Sequence, residues 1–171
     1  DIDKGLTILD YMISSIKCYE CVDEIVLSIC AGNHNAMYKE IADYHSIKYT
    51  FGDEEDVLKR LIESTRSVNG TDIFRLTSES PFTYFELINN GWKEHLKQGS
   101  DLTALDNVPD GSGFEIIKLE AYEKSHKLGE DRHRSELCSL YVRENKNRFN
   151  INILDKPNEI ARPDIRLTVD Y

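Results

Sequence analysis

The stretch IVLSICAGNHNAMYKEIADYHSIKYTF, residues 25–51, places two short apolar runs on either side of a segment with helical spacing. The first run, 25–30, is almost continuously apolar and β-branched, which is typical of a strand buried in a parallel sheet. The second run, 47–51, is predicted to be another strand. Between them a helix is predicted over 34–45, because apolar residues recur there every three or four positions. The residues expected to face inward on this helix are Met37, Ile41 and Tyr44.

The same alternation continues on both sides of this unit. A helix is predicted over 6–17 from its apolar spacing, and another directly after the acidic run 53–56, because acidic side chains are favoured at the positive end of a helix. A third strand is predicted over 72–77. The next helix is expected to begin near Pro81, where the missing N–H of proline costs nothing. This order, followed up to Gly99, implies parallel strands covered by helices in an α/β layered fold.

The second half of the chain is less regular. Strands predicted over 102–108 and 113–119 flank a turn at 109–112, which makes a small hairpin insertion. The remaining predictions are helices over 119–127 and 133–144 and strands over 149–154 and 165–169. No repeat or linker divides the 171 residues, so we expect a single α/β domain over 1–171.

The charge of the chain excludes several classes of partner. It carries 31 acidic and 21 basic residues, a net charge of −10. Binding to a nucleic-acid backbone or to an anionic membrane requires an excess of Lys and Arg, so we expect neither partner. The longest nearly apolar stretch, 25–31, is far shorter than the ~20 residues that cross a bilayer.

The start of the chain and its cysteines bear on its location. The opening Asp1-Ile2-Asp3-Lys4 shows no signal peptide, and the absence of an initial Met indicates a segment of a longer chain. Cys18 and Cys21 form a lone C-x-x-C without a second ligand pair, so zinc binding is not predicted. We interpret the four cysteines as small apolar residues in a reducing, cytoplasmic environment.

The ends of the predicted strands hold the candidate site residues, because α/β sheets bind ligands beyond the carboxyl ends of their strands. Glu79 follows the third strand and Asp170 follows the last. Two carboxylates at such positions could hold Mg²⁺, which prefers carboxylate oxygens and leaves positions for substrate phosphates. Glu79 could instead cap the helix predicted at Pro81, and the residues alone favour that interpretation.

Two cationic segments are further candidates. Arg132-His133-Arg134 could bind a carboxylate or phosphate, or could pair with the acidic residues next to it. The segment 162–166 could likewise bind an anion or form structural ion pairs. The sequence contains no glycine-rich phosphate loop and no nucleophile elbow, so neither a dinucleotide site nor a hydrolytic triad is predicted.

Five stretches, taken in order, resemble the nucleotidyltransferases of the acylneuraminate cytidylyltransferase type, in particular their spore-coat polysaccharide biosynthesis branch. They are 22–27, 51–60, 72–81, the Pro109-Asp110-Gly111 loop with Glu115, and the closing Arg162-Pro163-Asp164-Ile165-Arg166-Leu167-Thr168-Val169-Asp170, which is the most specific. The resemblance covers about 6–171. It implies a Rossmann-like nucleotide-diphospho-sugar transferase fold with a mostly parallel sheet. It also implies transfer of a nucleotidyl group, usually CMP from CTP, to a sugar or sugar acid, with release of pyrophosphate, for surface polysaccharide biosynthesis.

The resemblance implies a role for particular residues of this sequence. Glu79 and Asp170 correspond to carboxylates that bind Mg²⁺, and Arg75 joins them as a catalytic residue. The implied substrate-binding residues are Arg60, Asp110, Glu115, His133, Arg134 and Arg166. A homodimer is expected by the same analogy.

The sequence also departs from the family. The nucleotide loop of the family lies on a first strand, before the helix that begins here near Leu6, and no such segment is present. Removing an interior strand is expected to leave unpaired N–H and C=O groups on both of its neighbours. Two alternatives stay open: a catalytically impaired relative that binds a sugar or nucleotide, and a nucleotide-sugar glycosyltransferase. The second would need a D-x-D-type metal motif, for which 53–56 is the only candidate.

Overall fold

Helices and strands alternate along residues 5–32 and 35–169, the part of the chain described by the computed structural model. The helices are α1 (Ile8–Ile16), α2 (Ala36–His45), α3 (Val57–Ser67), α4 (Ile88–Gln98), α5 (Leu119–Leu128) and α6 (Leu140–Glu144). The strands are β1 (Val26–Cys30), β2 (Lys48–Gly52), β3 (Asp72–Arg75), β4 (Leu102–Leu105), β5 (Phe114–Lys118) and β6 (Ile151–Ile153). Short 3₁₀ helices cover Phe85–Leu87, Asp131–Arg134, Lys146–Arg148 and Asn158–Ile160.

Side-chain caps determine where two of the helices begin. Before α1, the Thr7 hydroxyl accepts from the Asp10 N–H at 3.1 Å, and the Asp10 carboxylate accepts from the Thr7 N–H at 2.7 Å. Before α3, the Asp56 carboxylate accepts from the Lys59 N–H at 2.9 Å. These bonds satisfy N–H groups that have no partner within the first turn of a helix.

The strands form two separate sheets. β1 and β2 pair in parallel, as the sequence predicted. The second sheet has the order β3-β5-β4-β6, in which β5 runs antiparallel to both of its neighbours and β6 runs parallel to β4. The α/β fold and the hairpin insertion, formed by β4 and β5, are therefore confirmed.

A large groove separates the two sheets. Among the described residues, β1 pairs only with β2 and β3 pairs only with β5, so each strand has one free edge. The space between these edges has a volume of about 900 Å³ and is lined by both strands together with side chains of α1 and α3. All four residues of β3 are only half-buried, whereas all four of β4, which has neighbours on both sides, are buried. The predicted unpaired edges are therefore found on both sides of this groove.

The core lies on both faces of the larger sheet, because successive side chains of a strand point to opposite faces. On β5, Ile117 packs with buried residues of α3, α5 and α6, while Ile116 packs with Phe114, Leu105 and Leu154. Both isoleucines are completely buried. β5 therefore connects the two halves of the core.

Two predicted element boundaries were wrong, one because of a contact between distant loops and one because of a local backbone conformation. The helix expected near Pro81 begins at Ile88, after a 3₁₀ turn, since the Tyr84 N–H donates to the Ser112 carbonyl at 2.9 Å and ties this segment to the β4–β5 loop. The strand expected over 102–108 ends at Leu105. Asn107 interrupts it with a φ of +57°, which lies outside the β region.

Three further predictions need correction. The helix expected over 133–144 is a 3₁₀ turn and the short α6, separated by extended backbone at Ser135. The strand expected over 165–169 is a single parallel bridge between Asp110 and Arg166. On α2, Met37 and Tyr44 are 53% and 74% exposed rather than inward, because this helix covers a sheet of only two strands and buries only Ala42.

Two other expectations can be compared with the described residues. No helix there is long and apolar enough to cross a membrane. All four cysteines are free thiols. Burial raises the pKa of the Cys138 thiol to about 11, which keeps this group protonated at neutral pH.

A buried histidine connects α4 to two strands of the larger sheet. His95 on α4 is 1% exposed, with Nδ1 2.9 Å from the Thr103 hydroxyl on β4 and Nε2 3.0 Å from an Asp72 carboxylate oxygen on β3. The hydrogen bond with His95 is the main cause that lowers the pKa of Asp72. A lowered carboxyl pKa adds stability that is present above the unfolded-state pKa and is lost as the pH falls through the folded-state value.

We therefore predict that Asp72→Asn reduces the free energy of unfolding at neutral pH by about 1–3 kcal/mol, since His95 loses its charged partner. The difference from wild type should shrink well below the ordinary aspartate pKa of about 3.9, where the wild-type carboxylate is protonated too. Urea unfolding at both pH values measures this. Asp164→Asn, in an exposed pair with Arg162, is the matched control. An equal difference at both pH values would contradict the prediction.

Candidate functional site

An open cavity of about 310 Å³ lies beyond the carboxyl ends of β3 and β4, the position at which α/β sheets bind ligands. Its walls come from the loop after β3, the loop between β4 and β5, and α6. The side chains that matter for its chemistry are Arg75, Thr77, Ser80, Asp106, Asp110, Glu115 and Arg143.

The loop after β3 is held by its own hydrogen bonds. The Ser80 N–H donates to the Thr77 carbonyl at 3.0 Å, and the two hydroxyls of these residues are also 3.0 Å apart. The Thr83 hydroxyl donates to the Ser80 carbonyl at 3.1 Å. This loop therefore has a defined shape, and the hydroxyl-bearing residues Thr77, Ser80 and Thr83 line the cavity.

The closing segment, residues 165–169, runs between the two loops. The Asp110 N–H donates to the Ile165 carbonyl and the Leu167 N–H donates to the Asp110 carbonyl, both at 2.8 Å. The Val169 N–H donates to the Glu79 carbonyl at 2.9 Å. Residues far apart in the sequence are thereby brought to one edge of the sheet.

Of the two predicted magnesium ligands, only Glu79 can be located. Its side chain lines the groove between β1 and β3, and its carbonyl accepts the bond from Val169. Asp170 follows Val169 in the chain but lies outside the described residues. Within those residues, no group of three or more His, Cys, Asp or Glu side chains is arranged to hold a metal ion.

Arg143 on α6 joins two carboxylates in the cavity wall. Nη1 and Nη2 donate to the two oxygens of Asp106 at 2.8 and 3.0 Å, and Nη2 also donates to Glu115 at 2.6 Å. Nε donates to the same oxygen of Glu115 at 3.0 Å, and that oxygen also accepts from the Ser139 hydroxyl at 2.6 Å. Burial acts to lower the pKa of Arg143, but hydrogen bonds to Asp106 and the charge of Glu115 outweigh it and raise this pKa.

Arg75 is the cation of the cavity that is not held by a carboxylate. It is half-buried at the end of β3 and makes no hydrogen bond or ion pair with any other residue that the structure describes. Its side chain lines both the cavity and the larger groove. An anionic group placed between these two spaces could therefore bind to it directly.

Arg166 lies at the edge of the same region. Its Nε donates to the Thr168 hydroxyl at 2.6 Å and is 3.6 Å from a carboxylate oxygen of Asp110. The predicted residues Arg75, Asp110 and Glu115 thus share one cavity, with Arg166 beside Asp110.

The predicted residue Arg60 lies away from this cavity. Its side chain crosses Gly52, where a Cβ would approach Arg60 Cγ to 2.8 Å, and its Nη1 donates to the carbonyls of Asp53 and Glu54. It lines the groove between β1 and β3. Its observed contacts hold the turn between β2 and α3.

The cationic segment 132–134 also lies away from the cavity. His133 is 3% exposed, with Nε2 2.9 Å from a Glu144 oxygen and Nδ1 accepting from the Glu130 N–H. Arg134 donates to Asp131 at 2.7 Å. Hydrogen bonds from Arg132 and then from His133 lower the pKa of Glu144 to about 2. The two arginines of this segment therefore form ion pairs with acidic residues, one of the two interpretations open at the level of sequence.

The sequence did not reveal Asp106 or Arg143 as cavity residues, nor Ser139 as a hydrogen-bond partner of Glu115. Asp106 follows β4 directly and would have qualified as a strand-end residue, but the predicted strand continued past it to 108. Arg143 carries no local motif, and only the packing of α6 brings it to Glu115 on β5.

Comparison with known proteins identifies relatives of this chain. A scan against protein-family models finds none that matches. The chain is 28% identical over 163 residues to the uncharacterized protein MJ1063 of Methanocaldococcus jannaschii, covering 95% of this chain and 67% of that protein. It is 31% identical over 137 residues to the spore coat polysaccharide biosynthesis protein SpsF of Bacillus subtilis, covering 77% of this chain and 57% of SpsF.

Solved structures share the fold over nearly the whole chain. A cytidylyltransferase from Leptospira borgpetersenii serovar Hardjo-bovis superposes with a TM-score of 0.88 at 24% identity, covering 98% of this chain and 72% of the other. A CMP:2-keto-3-deoxy-manno-octonic acid synthetase in complex with CTP gives 0.64 at 11% identity, covering 89% and 80%.

The fold of this chain is therefore that of the solved nucleotidyltransferases. In sequence the chain is a relative of the spore coat polysaccharide biosynthesis protein SpsF, and its fold is shared by the solved cytidylyltransferases.

Gly111 permits the close approach of the closing segment. It has a φ of +85°, and a Cβ there would lie 2.8 Å from Thr168 Cγ2. Gly99 also has a positive φ, +58°, but a Cβ there would meet nothing within 4 Å.

We predict that Gly111→Ala and Gly99→Ala each lose about 1–2 kcal/mol of stability from left-handed backbone strain, and that only Gly111→Ala displaces the closing segment. The Leu167 N–H, which donates to Asp110, should then exchange with solvent faster in Gly111→Ala and remain protected in Gly99→Ala. Hydrogen exchange followed by NMR measures this. Equal protection of Leu167 in both variants would contradict the prediction.

Proposed function

We propose that this domain takes part in transfer of a cytidylyl group from CTP to a sugar or sugar acid for surface polysaccharide biosynthesis. In this reaction an acceptor oxygen bonds to the α-phosphorus of CTP, the bond from that phosphorus to the bridging oxygen breaks, and pyrophosphate leaves. The proton of the attacking hydroxyl passes to solvent. The observation that carries the proposal is the meeting of the closing segment with the Glu79 and Asp110 loops at the carboxyl ends of the strands.

The arrangement of charges supports a division of the site between the two substrates. Glu79 and Arg75 line the groove, while Arg75, Asp110 and Glu115 line the cavity. We assign the groove side to the triphosphate and the cavity to the sugar. Arg75, which lines both, would neutralise charge on the phosphates during transfer, a reaction that depends mainly on positioning and electrostatics.

Magnesium fits the carboxylates of this proposal. Mg²⁺ is usually held by one or two carboxylates together with substrate phosphates, which matches Glu79 and Asp170 as donors. The Val169 N–H donates to the Glu79 carbonyl, and the family resemblance assigns the second carboxylate to Asp170. When bound there, the ion would neutralise charge on the triphosphate. Arg166, beside Asp110, is proposed as a substrate-side cation.

Binding without catalysis is the second candidate function. It requires only the cavity and the groove, whose Arg75, Asp110 and Glu115 can bind a ligand without a catalytic step. The chain also spans about two thirds of MJ1063 and 57% of SpsF, so the activity of the whole protein is itself part of the proposal.

A thermal-shift panel with CTP, UTP, GTP and ATP, each with and without Mg²⁺, tests the proposal on this chain and on the protein as its gene encodes it. CTP with Mg²⁺ should raise the melting temperature most, since a ligand that binds only the folded state stabilises it. Glu79→Gln and Asp170→Asn should lose the magnesium-dependent part of the shift. Glu123→Gln, in an exposed pair with Arg66, should not. If the gene-length protein responds to no nucleotide, the transferase proposal fails.

Arg75→Gln separates phosphate binding from metal binding. The Arg75 guanidinium pairs with no group in the described part of the chain, and its loss should weaken CTP–Mg²⁺ binding about tenfold or more, measured by titration calorimetry on the gene-length protein. Arg66→Gln removes an arginine of the exposed pair with Glu123 and should leave the affinity unchanged. Unaltered CTP affinity in Arg75→Gln would remove this residue from the nucleotide site.

A further inference from the structure

The Arg143 guanidinium is almost fully occupied by protein groups. Four of its five N–H groups donate to Asp106, Glu115 and Ser139, at distances of 2.6–3.1 Å. It is therefore poorly placed to receive the carboxylate of a sugar acid, although it is an arginine in the wall of the cavity. Its hydrogen bonds instead fix the positions of the carboxylates of Asp106 and Glu115.

The two carboxylates keep part of their capacity to accept hydrogen bonds. Glu115 uses one oxygen for Arg143 and Ser139, and its other oxygen accepts from no group in the described part of the chain. Each oxygen of Asp106 accepts one bond, whereas a carboxylate offers about four lone-pair sites. The side chains of Asp106 and Glu115 remain 31% and 18% exposed.

The charges of the cavity also favour a ligand group that donates hydrogen bonds. Three carboxylates, those of Asp106, Asp110 and Glu115, line it together with the guanidinium groups of Arg75 and Arg143. Because Arg143 is paired with Asp106 and Glu115, its single positive charge faces two negative charges. This part of the wall therefore presents hydrogen-bond acceptors and a surplus of negative charge. A hydroxyl or ammonium group can donate to such a wall, while a carboxylate would be repelled by it.

We propose that Arg143 is a positioning residue that fixes Asp106 and Glu115 as acceptors, so that the cavity selects a neutral or amino sugar rather than a sugar acid. The inference rests on the proposed cytidylyl transfer and defines the class of its acceptor. Arg143 acts through the two carboxylates, which would touch the sugar.

Ligand-observed NMR titrations test this on the gene-length protein with CTP and Mg²⁺ present. The probes are glucosamine, glucose and glucuronate, which differ in charge but share a hydroxyl-rich ring. Glucosamine and glucose should bind at least tenfold more tightly than glucuronate. Asp106→Asn should weaken glucosamine binding about tenfold, equal to about 1.4 kcal/mol, and should reduce the discrimination against glucuronate.

Variants of Arg143 separate positioning from a purely structural role. Arg143→Met should weaken binding of glucosamine and glucose to the same extent as Asp106→Asn, although Arg143 does not touch the sugar. Arg143→Lys should recover part of that loss, because it keeps the charge but not the two-pronged geometry. Glu123→Gln should match wild type. If Arg143→Met fails to fold, Arg143→Lys and Asp106→Asn still carry the test.

The CTP–Mg²⁺ thermal shift, measured on the same variants, distinguishes this inference from the proposed function. If CTP binds but glucuronate binds as tightly as glucosamine, the acceptor class is wrong and the transferase proposal stands. The inference is also overturned if CTP binds and none of the three sugars does, or if Arg143→Met leaves sugar affinity unchanged. If CTP itself does not bind, both proposals fail together.

Discussion

The pairing of β5 with β3 on one side and β4 on the other is the interaction on which the rest of the structure depends. It places Ile116 and Ile117 on opposite faces of the sheet, so that one strand anchors both halves of the core. It also aligns Glu115 with Arg75 on β3 and with Ala104 on β4. The cavity is therefore built where the β5 pairing ends, with its walls attached to the most buried part of the molecule.

The two arginines that line the cavity differ in whether they can bind a ligand. Arg143 and Arg75 both line it, but Arg143 is held by Asp106 and Glu115, whereas Arg75 has no such partner in the described chain. Counting charged residues would rank the two arginines equally. Their hydrogen bonds separate a group that positions its neighbours from one that can bind a ligand, and this difference supports assigning phosphate and sugar to different sides of the site.

The regular first half of the fold could be predicted because its signals are local. The spacing of apolar residues in 25–51 suffices for β1, α2 and β2, and the acidic residues before α3 do form its cap. Two boundaries could not be predicted, one set by a distant contact and one by a backbone conformation that the apolar spacing does not show. The bond from Tyr84 to Ser112 delays α4, and the positive φ of Asn107 ends β4.

The candidate site likewise contains residues that could be predicted from the sequence and residues that could not. Rules about strand ends and the family resemblance pointed to Arg75, Asp110 and Glu115, which the structure brings to one cavity. His133 has a suggestive local pattern, but its ring is buried against Glu144, eleven positions further along the chain. Arg143 carries no pattern at all, because its role arises only from tertiary packing.

The groove between β1 and β3 has a consequence for the behaviour of this domain in solution. Within residues 5–32 and 35–169, two free strand edges flank half-buried apolar side chains, and free edges of this kind can pair with another copy. The net charge of −10 opposes such encounters by mutual repulsion. Salt shortens the range of that repulsion to about 10 Å at 0.1 M, so the colloidal stability of the domain depends on ionic strength more than that of a protein whose sheets have covered edges.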